Sequence, residues 1–162
     1  MDNEYMTKEG YAKLVAKLKE LEEQIREAGQ AAGEAAGASC DWHDNPAYEQ
    51  AQEEQRILSK QIQDLDLRIR NARFIEDISP AEQLDTVALG STVVVEIEGD
   101  EETYFIGGSP DSNPSKGIIS YKSPLAQTIM GCKAGDVREF RNLTNSFKVK
   151  ILRVERKTDE NG

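Results

Sequence analysis

Two apolar stripes with a strict heptad rhythm constrain the fold of this chain more than any other feature. The first runs Tyr11, Leu14, Leu18, Leu21, Ile25, Ala28, Ala32, Ala35, and the second Tyr48, Ala51, Gln55, Leu58, Ile62, Leu65, Ile69, Ala72. Steps of three and four alternate in both without a slip, which is the seam of a coiled coil. Thr7 is placed to cap the first helix. Asn45 before Pro46 marks the start of the second, because Pro at the first helical position gives up no needed hydrogen bond. Two such stripes separated by a short break pair best as one antiparallel hairpin. Pairing them end to end sets Ala35 opposite Tyr48, Ile25 opposite Leu58 and Leu14 opposite Ile69, with the turn near Asp41 to Asp44. At 1.5 Å per residue, the roughly 30 residues from Tyr11 to the turn span about 45 Å.

The two ends of this hairpin differ in kind. Its base is Leu and Ile, whereas the distal half reads AGQAAGEAAGAS. Gly29, Gly33 and Gly37 recur every four residues, share one stripe and are expected to permit close helix approach. Each costs about 1 kcal/mol against Ala inside a helix. Such a stretch reads either as thin packing near a hairpin end or as a slender tip able to pass a narrow channel or bend.

Composition agrees with an elongated protein of one or two small domains: 162 residues, 38% hydrophobic and 31% charged, with a mean hydropathy of −0.63. No apolar run approaches the roughly 18 residues of a membrane span, and the opening MDNEYMTKEG lacks a signal peptide's apolar region. Cys40 and Cys132 match no motif spacing, so reduced thiols and a cytoplasmic location are expected. Net charge is −10, with 10 basic and 17 acidic residues up to Ile78 and 10 and 13 beyond it. Between Arg26 and Arg56 there is no Lys or Arg. A protein that grips nucleic acid directly needs a basic surface to displace phosphate counterions. Any nucleic acid near this hairpin is expected to be held by a partner.

The turn reads Ser39, Cys40, Asp41, Trp42, His43, Asp44, Asn45, Pro46. Two carboxylates three residues apart on a turn can face the same way. Magnesium takes about six oxygen ligands, so Asp41 and Asp44 suit half of a shared site better than a complete one. The bland reading is that they solvate the turn and help cap the second helix. Trp42, the only Trp, either meets a partner surface or folds back onto the Ala-rich end. His43, the only His, could assist a metal or act as a base, or simply face solvent. A single His also removes most Ser-His-Asp and Cys-His schemes from the chain.

After Ser79-Pro80 the pattern becomes GSTVVVEIEG, TYFIGG, GIISY, DVREF and SFKVKILRVE, short β-branched runs split by Gly, Asp and Asn turns. SPLAQTIMG reads as a short helix with Ser123 as cap, Pro124 in its first turn and Gly131 at its end. GSPDSNPSKG reads as a flexible loop between two strands. The expected architecture is therefore α+β in two domains: residues 1–78 an antiparallel coiled-coil hairpin with an acidic tip, and 79–162 a β-rich domain with one short helix.

MTKEGYAKL at the start, DWHDNPAY at the tip, NARFIED after the second stripe and SPLAQTIMGCKAGD in the second half occur in an order and spacing that resemble the Gre family of bacterial transcript cleavage factors. The resemblance implies an FKBP-like second domain seated at the rim of the secondary channel of RNA polymerase, with the hairpin reaching down that channel. It implies that Asp41 and Asp44 help hold a catalytic Mg2+ shared with the polymerase, which then hydrolyses the RNA 3′ end of a backtracked complex. The factor is then no enzyme itself but an activator of the polymerase's intrinsic cleavage, a cytoplasmic monomer that meets RNA only indirectly. Trp42, His43, Asn45 and Tyr48 would support the tip, and the stretch holding Ser123, Pro124, Leu125, Ile129 and Gly131 would dock the polymerase. The family commonly carries arginines flanking the tip where this chain has Gly37 and Gln52, and Gly where it has Cys40. Homologues with altered tips can inhibit polymerase without stimulating cleavage, which is the alternative reading. A free-standing prolyl isomerase is a third. It would need an aromatic pocket from Tyr104, Phe105, Tyr121 and Phe140, with no Trp for its floor.

Overall fold

A computed structural model describes residues 3–38, 45–78 and 85–156 of the chain. They fall into two compact units. Ala12–Asn71 make one; the residues up to Tyr11 join Ala72 onward in the other. The boundary read from the sequence, after Ile78, follows the change from helical to strand pattern. The compact units follow packing, which draws the start of the chain and the segment after Asn71 to the sheet.

In the first unit, α1 (Lys8–Ala38) continues from the second unit and α2 (Pro46–Arg70) returns. The seam holds as read. Leu14, Leu21, Ala28 and Ala32 of α1 and Ala51, Leu58 and Leu65 of α2 are buried, and the other helical seam positions are half-buried. Apart from Ala32, the buried seam residues recur at every seventh position, which is the coiled-coil rhythm expressed as burial. A Cβ on Gly29 would come 2.9 Å from Gln55 Nε2, a neighbour that the pairing of Ile25 with Leu58 puts there. The last seam residue, Ala72, has left the helix, which ends at Arg70.

The glycine stripe does not do what its spacing suggested. Gly33 and Gly37 are exposed, and a Cβ on either would meet nothing within 4 Å. Steps of four residues turn about 400°, so a four-spaced row drifts about 40° per step away from a seam. Only Gly29 faces the partner helix; the other two are carried round to the surface.

In the second unit β1 (Glu4–Met6) pairs in parallel with β2 (Ala72–Phe74), Glu4 opposite Ala72 and Met6 opposite Phe74. Both strands are only three residues long, too short for their alternation to stand out in the sequence. Tyr11 packs edge-on against Phe74 at 5.3 Å between ring centroids. A five-stranded sheet follows, built from β3 (Ser91–Ile97), β4 (Asp100–Gly107), β5 (Ile118–Ser120), β6 (Val137–Arg141) and β7 (Ser146–Arg156), in the order β5-β4-β3-β7-β6. All neighbours are antiparallel except β4 with β5. Alternation along the strands buries Val93, Val95, Ile106, Val149 and Ile151 on one face, and Ala126 and Ile129 of α3 (Pro124–Ile129) close that core. Ser123 caps α3 by accepting from the Ala126 N–H at 3.3 Å, and Gly131 follows it at φ +79°, a left-handed conformation that favours Gly.

The stretch read as a flexible loop is built. It holds two short 3-10 turns, Ser109–Asp111 and Pro114–Lys116, and Asp111 within it is buried. A buried carboxylate needs hydrogen-bond donors; beside the Gly108 N–H, the two it finds belong to Thr7, near the other end of the chain.

Burial ranks the hairpin's side chains. Leu21→Ala or Leu65→Ala should cost about 2–4 kcal/mol, and half-buried Leu18→Ala less. Gly33→Ala and Gly37→Ala should each stabilise by up to about 1 kcal/mol, because an exposed helical Gly gives up helix propensity for no contact. Urea unfolding followed by helical circular dichroism tests the order; a loss of stability from Gly33→Ala would mean that the stripe packs after all.

Candidate functional site: the closed end of the helical hairpin

A helix leaves its last four carbonyls and first four N–H groups without partners inside the helix. Where α1 gives way to α2, one side chain serves both needs. Asn45 accepts the Tyr48 N–H on its Oδ1 at 3.3 Å, capping α2, and its Nδ2 donates to the Ala35 carbonyl, in the last turn of α1, at 2.7 Å. Pro46 follows at the first helical position. Asn is the side chain that carries an acceptor and a donor on one short fork, so it can clasp two helix ends at once. Tyr48 is half-buried on the seam, and its hydroxyl accepts from Gln52 Nε2 at 2.8 Å.

Of the seven positions between the helices, the six before Asn45, 39–44, lie outside the described residues. Asp41, Trp42, His43 and Asp44 are among them, as is Cys40. What the structure supplies is their frame: two helix ends joined through Asn45, with the tip carboxylates on the chain between. Asn45 and Tyr48, read as tip-supporting, are both in that frame.

The electrostatics around the frame are one-signed. Glu27, Glu34, Glu49, Glu53 and Glu54 are exposed on the distal helices, with no Lys or Arg between Arg26 and Arg56. Those two flanking cations are each engaged on their own helix. Arg26 is paired with Glu23, and Arg56 with Glu53 at 2.6 Å. The Arg56 hydrogen bond holds the Glu53 carboxyl below its ordinary range, and Glu23 and Glu53 raise the guanidinium groups that face them. Gly37 has open space where a Cβ would stand, and Gln52 is exposed. Among the described residues no group of three or more His, Cys, Asp or Glu gathers as a metal would require.

The second set of candidate residues lies at α3. Pro124 and Gly131 are exposed and Ser123 and Leu125 half-buried, so these four can meet a partner. Ile129 cannot. It is fully buried in the core of the sheet unit, because at six residues α3 must commit one face to the sheet, and Ile129 with Ala126 is that face. Exposed Lys122 and Gln127 flank the same surface.

Comparison with known proteins decides the kinship. Residues 4–74 match the family described as transcription elongation factor, N-terminal, and residues 81–156 match transcription elongation factor, GreA/GreB, C-terminal. The transcription elongation factor GreA of Halalkalibacterium halodurans is 37% identical over 152 residues, 93% of this chain and 95% of that protein. This chain belongs to the GreA/GreB family of transcription elongation factors. The GreA of Geobacillus kaustophilus is 36% identical over 93% of this chain and 95% of its own length, and that of Streptococcus thermophilus 40% over 72% of each. Among solved structures, GreA factor homolog 1 of Thermus thermophilus covers 95% of this chain and 99% of its own at 22% identity, with a TM-score of 0.42. No helix among the described residues of this Gre-family chain is long and apolar enough to cross a membrane.

The sequence shows Asn45 as a cap but not as a donor across the turn. The missing signal was spatial, since a helix-end carbonyl awaiting a donor leaves no mark on residue type. Asn45→Ala should cost about 1–2 kcal/mol, whereas Asn45→Asp should keep the cap, lose the bond to Ala35 and fall between the two. Thermal melts of both variants check this; equal melting of Asn45→Asp and wild type would remove the cross-turn bond from the account.

Proposed function

We propose that this protein acts on bacterial RNA polymerase from within its secondary channel, stimulating the enzyme's own cleavage of backtracked RNA. The observation that carries the reading is the Asn45 clasp. It joins the end of α1 to the start of α2, and the sequence that runs between those two ends carries both Asp41 and Asp44. The names borne by its relatives, transcription elongation factor GreA, support the same reading.

The chain's part in the chemistry is to donate ligands. Two aspartates offer a minority of the about six oxygens that Mg2+ takes, so the remainder would come from water, phosphate and the polymerase. Once bound among all of these, the ion supplies water activation and stabilisation of the leaving oxygen. Asp41 and Asp44 supply charge and position, and the factor alone is not an enzyme. Docking is assigned to the exposed surface of α3, through Pro124, Leu125, Ser123 and Gly131.

An alternative, inhibition without cleavage, draws on one observation. The positions where the family commonly places arginines hold Gly37 and Gln52, and the nearest cations, Arg26 and Arg56, are tied to Glu23 and Glu53. RNA then finds little to hold it on this hairpin.

Asp41→Asn should abolish shortening of backtracked RNA, and Asp44→Asn nearly so, with polymerase binding retained in both. Gel analysis of labelled RNA in a halted complex reads this. A wild type that leaves the RNA intact yet slows nucleotide addition would replace the cleavage reading by the inhibitory one.

The missing cations can be restored. Gly37→Arg with Gln52→Arg places two guanidinium groups on open surface, and cleavage at low factor concentration should rise, by roughly thirtyfold if each gains a phosphate contact worth about 1 kcal/mol. No change in the concentration dependence would show that RNA is not held there.

A further inference from the structure

Among the described residues, no strand pairs with the outer edge of β6, the last strand of the five-stranded sheet. Its residues Val137, Arg138, Glu139 and Arg141 are exposed, and Phe140 is half-buried. Two bonds show which backbone groups face outward. The Asn142 N–H donates to the Asn145 carbonyl at 2.9 Å, and the Ile151 N–H to the Asp136 carbonyl at 2.8 Å. Even-numbered residues therefore turn their backbone toward β7. Bonded and non-bonded positions alternate along an antiparallel pair, so Val137, Glu139 and Arg141 point their N–H and C=O groups away from the sheet. Apolar surface flanks them: Val137 is 49% exposed, and Leu143, in the turn after the strand, is fully exposed. An open edge is a template for another strand, and proteins commonly blunt it with charge, Pro or a bulge. Charge does not blunt β6 against a copy of itself, because Glu139 and Arg141 are opposite in sign.

We propose that β6 pairs antiparallel with β6 of a second copy of this chain, centred on Phe140, and so forms a weak dimer. The inference goes beyond the proposed function and uses neither the tip acids nor α3. Its register follows from charge. A twofold strand pair must set one residue opposite itself, because opposed residues share a face while neighbours alternate. Centring on Arg138, Glu139 or Arg141 puts like charges opposite each other, which destabilises a pair. Centring on Val137 matches the strand to the turn before it, where Gly135 is left-handed at φ +93°, and sets Arg141 opposite Lys133. Centring on Phe140 sets Glu139 opposite Arg141 of the second copy and Arg141 opposite its Glu139, four alternating charges on one face. These residues also carry the outward N–H and C=O groups, so the same register makes the main-chain bonds. On the other face Phe140, which stands 5.0 Å from Phe147, meets Phe140 of the second copy. Val137 comes level with the second copy's Leu143. Within one copy Glu139 and Arg141 already pair at 3.3 Å, but both are exposed, so exchanging partners costs little. One short strand from each copy makes a contact smaller than the about 1,000 Å² of a stable interface, so the chain is a monomer when dilute.

Sedimentation equilibrium of the full-length protein tests this between about 10 and about 500 µM, a range in which mass action brings out weak pairing. The apparent mass of the wild type should rise with concentration from 18.0 kDa toward twice that value. Glu139→Arg alone and Arg141→Glu alone each set like charges opposite twice, and should weaken self-association by about tenfold or more. The double variant, Glu139→Arg with Arg141→Glu, exchanges the charges and should return to within about threefold of wild type. Circular dichroism checks that all three keep the fold. A wild type that stays at 18.0 kDa throughout overturns the proposal. If Glu139→Arg then weakens polymerase binding, the edge takes a strand of the polymerase instead. A double variant no better than the single ones overturns the register centred on Phe140, and with it the proposed pairing.

Discussion

The seam between α1 and α2 is the constraint from which the helical unit follows. Neither stripe can stay wet without losing the burial that makes an isolated helix worth forming, since helices owe most of their stability to packing of an apolar face. Given two stripes of matched length and a short break, antiparallel pairing is the arrangement that hides both. The deepest positions, Leu14, Leu21 and Ala28 against Ala51, Leu58 and Leu65, grow smaller toward the turn, so the hold weakens as the hairpin runs out. Near that end a polar clasp takes over from hydrophobic contact, with Asn45 bonded to both helices.

How much of this could be read beforehand depended on whether the signal was local. Heptad spacing, Ser123 and Asn45 as caps and the strand runs are written in neighbouring residues, and they appear where the pattern put them. What escaped was long-range or short in length. β1 and β2 are three residues each and pair across the whole hairpin; Asp111 sits in a Gly- and Pro-rich stretch that looks like any loop. Ile129 shows the converse error. A motif match treats a stretch as a unit, whereas a helix of six residues divides its members between core and surface, and Ile129 went to the core. The glycine row misled for a similar reason. Equal spacing in sequence is not a constant direction in space when the step is four and the turn is 3.6.

The charge pattern gives the hairpin a direction of its own. Acidic side chains crowd the end that the proposed function sends toward the RNA, and its nearest cations are already paired. Such a surface repels phosphate and favours contact with basic protein, so this factor would owe its place on an elongation complex to the polymerase.

The bond between Thr7 and Asp111 spans 104 positions of the chain. During synthesis the first helix leaves the ribosome long before the residue that secures its cap exists, and β1 waits for β2 until both long helices have been made. The hairpin's local contacts can form early and fast, while the cap of α1 is completed only once Asp111 has been made. An unfinished chain would therefore hold a zipped hairpin whose first helix still lacks the carboxylate that secures its cap.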